Sequence, residues 1–285
     1  MTRKSLFYFA LVGLLWGIPY LLMKVAVEEF PPAAVVAGRT LIGASILIPI
    51  AIYRKKFGGA VLGFKYVAFY ALMEMIGPWI LITTAEQKIN SGLAGLLVST
   101  VPIFATIITS LRGDHSVWQF KRLFGIVVGF IGLILVVGIE SLSGNSDPLS
   151  IAMVIVASMG YAYAVIMVTS NLPLVDGIAI NGLAMAITTV FWAPVAIAQW
   201  PSSISMDSAL SLIALGIFST ALAFILFFKV MAEIGPARSS LVTYLNTAIA
   251  VVLGVIILRE PLTVGIIVGL PLVLVGSYLA SKKTA

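Results

Sequence analysis

One acidic residue, Glu74, lies deep inside a long apolar stretch of this sequence, Lys65 to Thr84. If the stretch is a helix, Glu74 lies about 14 Å from its start, at about 1.5 Å per residue. A carboxylate so far from water is costly and indicates a functional site. Glu74 is therefore a candidate to bind a proton or the ammonium group of a substrate. The alternative is a structural ion pair with Arg39, which lies about 9 Å inside the neighbouring stretch, Ala33 to Tyr53.

Trp79 lies five residues beyond Glu74, after Gly77 and Pro78. On a straight helix the two side chains point about 140° apart. We therefore expect Trp79 to pack or to face lipid, unless Pro78 changes the geometry of the helix.

Aromatic residues form a second candidate group. Trp16, Tyr20 and Lys24 are spaced four apart, so a helix places them in one stripe. Such a stripe is typical of helix packing or of an interfacial anchor. Trp16, however, lies in mid-stretch, where an aromatic face suits an apolar substrate group. Lys24 lies near the end of its stretch and is expected to extend its ammonium to water.

A stripe of small, weakly polar residues forms a third group, at steps of four, four, three and four: Ser91, Gly95, Ser99, Pro102 and Thr106. This pattern either lets helices approach closely or lines a cavity. Pro102 removes one backbone hydrogen bond, so a bend is expected there.

The sequence lacks the residue combinations that common catalytic mechanisms require. His115, in a charged loop, is the only histidine, cysteine is absent, and the apolar stretches contain no pair of carboxylates. No Gly-Lys-Ser or Gly-Lys-Thr sequence is present, so a nucleotide-driven pump is not expected. We expect no enzyme activity, no metal and no cofactor.

The composition indicates a lipid environment. Of 285 residues, 61% are apolar, and only 17 basic and 11 acidic residues are present, too few to cover a soluble protein of this size. Ten apolar segments are each long enough to span a bilayer as a helix. They are Leu6 to Val25, Ala33 to Tyr53, Lys65 to Thr84, Ser91 to Leu111, Lys121 to Ile139, Ser150 to Thr169, Gly177 to Gln199, Asp207 to Phe228, Ala237 to Leu258 and Thr263 to Ala280.

The basic residues predict the orientation. With both termini in the cytoplasm, thirteen Lys and Arg residues lie inside, three lie outside (Lys24, Lys88 and Arg259), and Arg39 lies in a span. This is a strong positive-inside signal, so the net charge of +6 reports orientation and not a nucleic-acid partner.

Three sequence matches indicate an internal repeat. Trp16 to Tyr20 corresponds to Met159 to Tyr163 at an offset of 143, and Gly125 to Gly129 corresponds to Gly265 to Gly269 at 140. A third match relates Ser91–Asp114 to Pro236–Glu260. We therefore expect two five-helix repeats, residues 1–140 and 150–285, joined by a loop at 141–149. Because five is odd, the second repeat is inverted, and a substrate site is expected near the midplane between them.

The repeat extends the list of candidate residues. Met159 and Tyr163 correspond to Trp16 and Tyr20, and Tyr244 and Thr247 correspond to Ser99 and Pro102. The region of Glu74 corresponds to Ser219 and Thr220, so the second repeat has no acidic residue at the corresponding place. The predicted substrate-binding set is Trp16, Tyr20, Glu74, Ser99, Pro102, Met159, Tyr163, Tyr244 and Thr247.

Three stretches resemble a known family: Leu15-Trp16-Gly17, the small-residue run from Ser91 to Pro102, and Arg259-Glu260-Pro261 before Gly265 and Gly269. The chain resembles the drug/metabolite transporter superfamily in its EamA-like branch of ten-helix exporters. Within it, the chain looks most like the aromatic amino-acid exporters of the YddG kind. Arg112-Gly113-Asp114 departs from the Glu-containing turn that is usual at that place.

The sequence thus predicts an all-α polytopic membrane protein with ten transmembrane helices in two inverted repeats. The resemblance implies an exporter of small amphipathic metabolites, amino acids including aromatic ones, in the inner membrane of a bacterium. Expected partners are the bilayer, a small-molecule substrate and, as a coupling ion, protons; a monomer is expected. Drug export by proton antiport is the main alternative. A channel or a membrane-embedded enzyme is a weaker one.

Overall fold

The computed structural model of the protein describes residues 3–113, 119–142, 147–234, 239 and 242–281. In these ranges every regular element is helical. The α-helices are α1 (Arg3–Ala26), α2 (Pro32–Tyr53), α3 (Phe57–Leu62), α4 (Phe64–Ala71), α5 (Gly77–Ala85), α6 (Ser91–Val98), α7 (Val101–Leu111), α8 (Phe120–Leu142), α9 (Pro148–Asn171), α10 (Gly177–Ala198), α11 (Met206–Ala214), α12 (Ala223–Ile234), α13 (Val242–Ile256) and α14 (Val264–Ser281). Two π-helical segments join them, the first π-segment (Leu72–Ile76) and the second π-segment (Leu215–Leu222).

Seven helices in the described part of the chain are long and apolar enough to cross a membrane. They are α1, α2, the continuous helices Phe64–Ala85, Ser91–Leu111 and Met206–Ile234, and α9 and α10. An all-helical polytopic membrane protein is thereby confirmed. The count of ten spans and the cytoplasmic location of both termini stay predictions. Residues 143–146 of the predicted connecting loop, and His115, lie outside the described residues.

Prolines and π-turns interrupt three of the long helices. The first π-segment ends directly before Gly77 and Pro78, and Ser99 and Thr100 separate α6 from α7 just before Pro102. Proline cannot donate a backbone hydrogen bond, which favours a widened or broken turn before it. The bend expected at Pro102 is therefore present as a break between two helical segments.

The helices of the two halves of the chain interlock. The most extensive contacts pair α8 with α14, α2 with α10, and α1 with α13. In addition, α1 packs on α11 and α12, while α9 packs on α5, α6 and α7. The first helix of each half therefore lies against the third and fourth membrane helices of the other half, and the middle of the bundle belongs to both.

Charged residues predicted for one side of the membrane meet in the structure. Lys4 and Lys229 lie 5.8 Å and 5.9 Å from the ring centre of Tyr8. At the opposite end of the helices, Lys88 forms an ion pair with Asp147 at 3.9 Å. We name these the Lys4 end and the Lys24 end, since Lys24 lies near Lys88.

Helices α8 and α14 touch at the level of their backbones. A Cβ atom on Gly276 would overlap the backbone nitrogen and Cα of Gly129. A Cβ atom on Gly132 would lie 2.9 Å from the backbone nitrogen of Val273. Contacts this short are possible only with glycine, as in the small-residue interfaces of other membrane helices.

We predict that Gly276→Ala destabilises the protein by about 1–3 kcal/mol, because the added methyl group has no space between the two helices. In a thermal unfolding measurement on purified protein this amounts to a loss of several degrees, at about 2–4 °C for each kcal/mol. The control is Gly58→Ala in α3, where an added Cβ meets no atom. Equal unfolding temperatures for the two variants would contradict the assignment.

Candidate functional site

The first π-segment carries Glu74 into the centre of the bundle. Its widened turn changes the angle between Glu74 and the helix that follows, as π-turns do at many functional sites. Trp192 of α10 donates a hydrogen bond to the carbonyl of Ile76 at 3.1 Å. A Cβ atom on Gly160 would lie 2.8 Å from the carbonyl oxygen of Met73, so α9 packs directly against this turn. The turn is therefore held by both neighbouring helices.

Glu74 itself has an unpartnered oxygen. Its Oε2 atom is buried and has no hydrogen-bond partner in the described part of the chain. Tyr70 and Tyr161 lie within electrostatic range of the carboxyl group. Tyr70 donates its own hydrogen to Asn181 at 3.1 Å. A buried carboxyl without a partner is a group that a proton or a ligand cation would satisfy.

Arg39 does not pair with Glu74. The described residues place no carboxylate within ion-pair distance of its guanidinium, so the structural pair considered above is not formed. Nε and Nη2 both donate to the hydroxyl of Thr220, each at 3.2 Å, and Nη1 lies 3.6 Å from the sulfur of Met23. The guanidinium carbon lies 3.9 Å from the ring centre of Trp79, a cation–π contact.

Trp79 is therefore not a lipid-facing residue. It is buried, and its ring covers one face of the Arg39 guanidinium. The expectation that it faces lipid assumed a straight helix, and the π-turn ahead of Pro78 removes that assumption. Trp79 also lies beside the hydroxyl of Tyr161, which links the surroundings of Arg39 to those of Glu74.

The second π-segment supplies the matching group from the other half of the chain. Thr220 accepts the hydrogen bonds of Arg39, and the hydroxyl of Ser219 is buried without a partner among the described residues. Leu215 begins this segment 143 positions after Leu72 begins the first. At this offset Glu74 corresponds to Ile217, so Ser219 lies two residues beyond the place of Glu74, in the same region of the second segment.

The aromatic residues of the α1 stripe, Trp16 and Tyr20, lie in different surroundings in the structure. Trp16 packs on the rings of Phe224 and Phe227 of α12, at 5.6 Å and 4.7 Å between centres. Tyr20 is buried, lies against Gly95 of α6, and is within electrostatic range of Arg39. Tyr20 thus belongs to the central cluster, while Trp16 lies against the helices next to it.

The predicted residues of α6, α7 and α13 form a contact between helices. Thr247 is buried and donates to the carbonyl of Gly95 at 3.3 Å. Ser99 donates to Leu96, and its own carbonyl accepts from Ser277 of α14 at 2.8 Å. Two others lie nearby on the same elements: Pro102 in the first turn of α7, and Tyr244 of α13, whose ring lies 6.3 Å from that of Tyr278.

Met159 and Tyr163 lie on the outward face of α9. They are 44% and 38% exposed, and the ring of Tyr163 packs on Phe69. The structure does not bring them to Glu74 or Arg39. Tyr161, two residues before Tyr163, faces the central cluster instead. A role for Met159 and Tyr163 in substrate binding stays a prediction.

Sequence reasoning did not predict the cluster of Arg39 with Trp79, Tyr161 and Thr220. The depth of Arg39 inside an apolar stretch was the available signal, since a buried guanidinium is as costly as a buried carboxylate. The sequence instead suggested Arg39 as a structural partner of Glu74. The other three residues are placed beside Arg39 by helix rotation, which the sequence does not reveal.

A second polar group lies at the Lys24 end. Glu86 directly follows the span Phe64–Ala85; it is fully buried, and both of its carboxyl oxygens lack a hydrogen-bond partner in the described ranges. The ammonium of Lys24 donates to the backbone carbonyls of Glu86 and Ile89, at 2.7 Å and 2.9 Å. Glu260 accepts from the backbone nitrogen and the hydroxyl of Ser91, at 2.9 Å and 2.8 Å, and so caps α6. These contacts join α1, α5, α6 and the loop after α13.

An all-helical membrane bundle with a buried guanidinium and carboxyl where its two halves meet is the architecture of a protein that handles polar solutes within the membrane. Among the described residues there is no group of three His, Cys, Asp or Glu that could hold a metal ion. The model of the EamA-like transporter family matches residues 3–138 and again residues 148–282. The chain therefore belongs to the EamA-like transporter family, within the drug/metabolite transporter superfamily.

Relatives in other organisms are named as transporters. The chain is 27% identical over 277 residues to the uncharacterized transporter YoaV of Bacillus subtilis, covering 94% of this chain and 93% of the relative. It is 26% identical over 281 residues to the uncharacterized inner membrane transporter YedA of Escherichia coli, with 95% and 90% covered. A protein of known crystal structure superposes with a TM-score of 0.65 at 15% identity over 98% of both chains, which shows the fold alone.

We predict that the folded protein holds a proton on Glu86 at pH values where the unfolded chain releases it. Burial raises the pKa of the Glu86 carboxyl well above its ordinary range; Lys24 opposes the shift, and Glu260 adds to it. Stability that depends on this proton is fully present below the ordinary glutamate pKa of about 4.3 and is lost as the pH rises towards the folded-state pKa. Glu86→Gln removes the dependence. Its unfolding temperature should exceed that of the wild type by an amount that grows towards alkaline pH.

The measurement is thermal unfolding of both proteins across a pH series. The exposed residue Glu28 provides the matched control, Glu28→Gln. A constant difference between wild type and Glu86→Gln from acid to alkaline pH would show that Glu86 carries no such proton.

Proposed function

We propose that this protein is a secondary transporter that exports small amphipathic metabolites, amino acids including aromatic ones, by alternating access. The carrying observation is the pair of buried, unpartnered polar groups where the two halves meet, Glu74 Oε2 on the first π-segment and Ser219 Oγ on the second. Unsatisfied polar groups inside a membrane bundle suit a site that a polar solute occupies transiently.

Two inverted five-helix repeats are part of the proposal, with boundaries at 1–140 and 150–285. The family model matches the chain twice, with a break at residues 139–147. The two π-segments are separated by the offset of 143 that also relates Trp16 to Met159. Helix α1 contacts the third and fourth membrane helices of the second half, and α9 contacts those of the first half. This correspondence is what a pseudo-two-fold axis requires. Repeats of this kind allow two states of similar energy, one open to each side.

The proposed orientation has both termini in the cytoplasm of a bacterium and the chain in its inner membrane. The distribution of Lys and Arg supports it, as does the printed name of the Escherichia coli relative. The Lys24 end is then the outer end. The capping and lysine contacts at this end support a state that is closed to the outside.

The proposed site combines the acidic side chain of Glu74, the cationic side chain of Arg39 and several aromatic rings. Glu74 takes the ammonium group of an amino acid or a proton. Tyr20 and Tyr161 flank the site, and Trp16 lies close by on α1. Thr247, Ser99, Pro102 and Tyr244 line the contact of α6 and α7 with α13, where movement between the halves would open a passage.

Export of drugs or other metabolites by proton antiport is the second candidate. The observation that favours it is that one buried oxygen of Glu74 and both oxygens of Glu86 lack hydrogen-bond partners among the described residues. Either could carry a proton between states. Uniport of an amino acid does not need a carboxyl group that carries a proton.

We expect purified protein in liposomes to take up amino acids, with aromatic ones among the best substrates. The measurement is uptake of a radiolabelled amino-acid panel, with and without a pH gradient, against protein-free liposomes. Stimulation by the gradient would assign proton antiport, and equal rates would assign uniport. If no amino acid moves while the protein is folded, the proposed substrate class is wrong.

We expect Glu74→Gln to abolish proton coupling or substrate binding. Glutamine can neither take up a proton nor offer a negative charge to an ammonium group. Uptake should fall about tenfold or more, the effect of losing a charged hydrogen-bond partner. Glu28→Gln, at an exposed position, is the matched control. Wild-type uptake by Glu74→Gln at every pH would remove Glu74 from the mechanism.

A further inference from the structure

Arg39 is a buried cation whose hydrogen-bonding capacity exceeds what the protein offers it. The residue is 6% exposed. A guanidinium has five N–H donors. Its contacts are the single hydroxyl of Thr220, shared by Nε and Nη2, and the sulfur of Met23, a weak acceptor at 3.6 Å. At least two N–H groups therefore have no acceptor in the described part of the chain.

The charge of Arg39 also lacks a counter-ion. None of the carboxylates in the described ranges lies within 4.0 Å of it. Isolated charges in a protein interior are strongly unfavourable unless an opposite charge or hydrogen bonds compensate them. The ring of Trp79 supplies a partial substitute from one face only.

The geometry that remains is that of an anion receptor. The ring of Trp79 lies 3.9 Å from the guanidinium carbon, and Thr220 accepts from both Nε and Nη2, so the group is held from one face and along one edge. A guanidinium fixed in this way presents parallel N–H donors at its edge, which match the two oxygens of a carboxylate. Lysine would offer a point charge without this match.

The position of Arg39 joins both halves of the chain. Arg39 comes from α2, Met23 from α1 and Trp79 from α5, whereas Thr220 comes from the second π-segment. Tyr161 of α9 is within electrostatic range of both Arg39 and Glu74. A ligand bound at Arg39 would therefore contact the surface along which the halves separate.

We propose that Arg39, stacked on Trp79 and oriented by Thr220, binds the carboxylate of the transported molecule. The inference rests on the proposed transport function and narrows it to substrates that carry a carboxylate. Because Glu74 and Arg39 are both within electrostatic range of Tyr161, an α-amino acid bound there finds an opposite charge for each of its two ionic groups. A phosphate dianion would need more positive charge than one guanidinium provides, and Lys24 is engaged by two carbonyls at its own end.

The test measures binding without transport. Purified full-length protein in nanodiscs is titrated with L-phenylalanine, with 3-phenylpropionate, which lacks the ammonium, and with phenethylamine, which lacks the carboxylate. Tryptophan fluorescence reports binding, and Trp79→Phe assigns the signal. The variants are Arg39→Gln, which removes the charge, and Arg39→Lys, which keeps it without the planar fork. Arg54→Gln at an exposed position is the matched control.

We expect the wild type and Arg54→Gln to bind phenylalanine and phenylpropionate more tightly than phenethylamine. Arg39→Gln should weaken both carboxylates by about ten- to a hundredfold and leave phenethylamine unchanged, and Arg39→Lys should lie between. Equal binding of phenylpropionate by wild type and Arg39→Gln, or by wild type and Arg39→Lys, would overturn the proposal. So would wild-type binding of phenethylamine as tight as that of phenylalanine.

The two proposals fail in different ways. If liposomes take up no amino acid but phenylpropionate binds in an Arg39-dependent manner, the carboxylate site stands and the amino-acid assignment is wrong. If amino acids are transported and their binding is independent of Arg39, transport stands and the carboxylate site is wrong. Size-exclusion profiles and unfolding temperatures of the variants show whether a loss of binding reflects a loss of folding.

Discussion

A positive charge buried between two helical halves in lipid is the constraint on which the rest of this structure depends. Lipid offers Arg39 no compensation, so the protein surrounds it with the ring of Trp79, the hydroxyl of Thr220 and the sulfur of Met23. These three groups come from helices of both halves. Any movement of one half against the other therefore changes the surroundings of the charge, and a ligand that satisfies Arg39 alters the relative energies of the two arrangements.

The two π-segments help to form the surroundings of Arg39. They differ in how well the sequence predicts them. Pro78 forces a disturbance in the turn that contains Glu74, so an altered geometry could be anticipated there. The second π-segment, Leu215–Leu222, contains no proline, and its residues would suit an ordinary helix. This segment packs closely on α2, where a Cβ atom on Gly216 would lie 2.5 Å from Ile42. Contacts of that kind are known only after folding.

The apolar helices were predictable, whereas their rotation was not. Apolar length predicted the helices, and the residue count placed Glu74 and Arg39 well inside two of them. Which side chains face each other depends on rotation about each helix axis. In a soluble protein the polar face fixes that rotation, but a membrane helix is apolar all round. On α9, sequence symmetry therefore selected Tyr163, while the packing of the bundle turned Tyr161 towards Glu74.

The two ends of the bundle are not equivalent, and this bears on the energy balance of alternating access. At the Lys24 end, Glu260 caps α6 and Lys24 binds two backbone carbonyls of the turn between α5 and α6. The corresponding turn in the first half reads Arg112-Gly113-Asp114 and lacks the glutamate. Each hydrogen bond contributes about 1 kcal/mol net, so under the proposed function a difference of a few end contacts would set the two states a few kcal/mol apart. Under the proposed function the unliganded transporter rests closed at the Lys24 end, and substrate binding at Arg39 must offset that difference before the outer side opens.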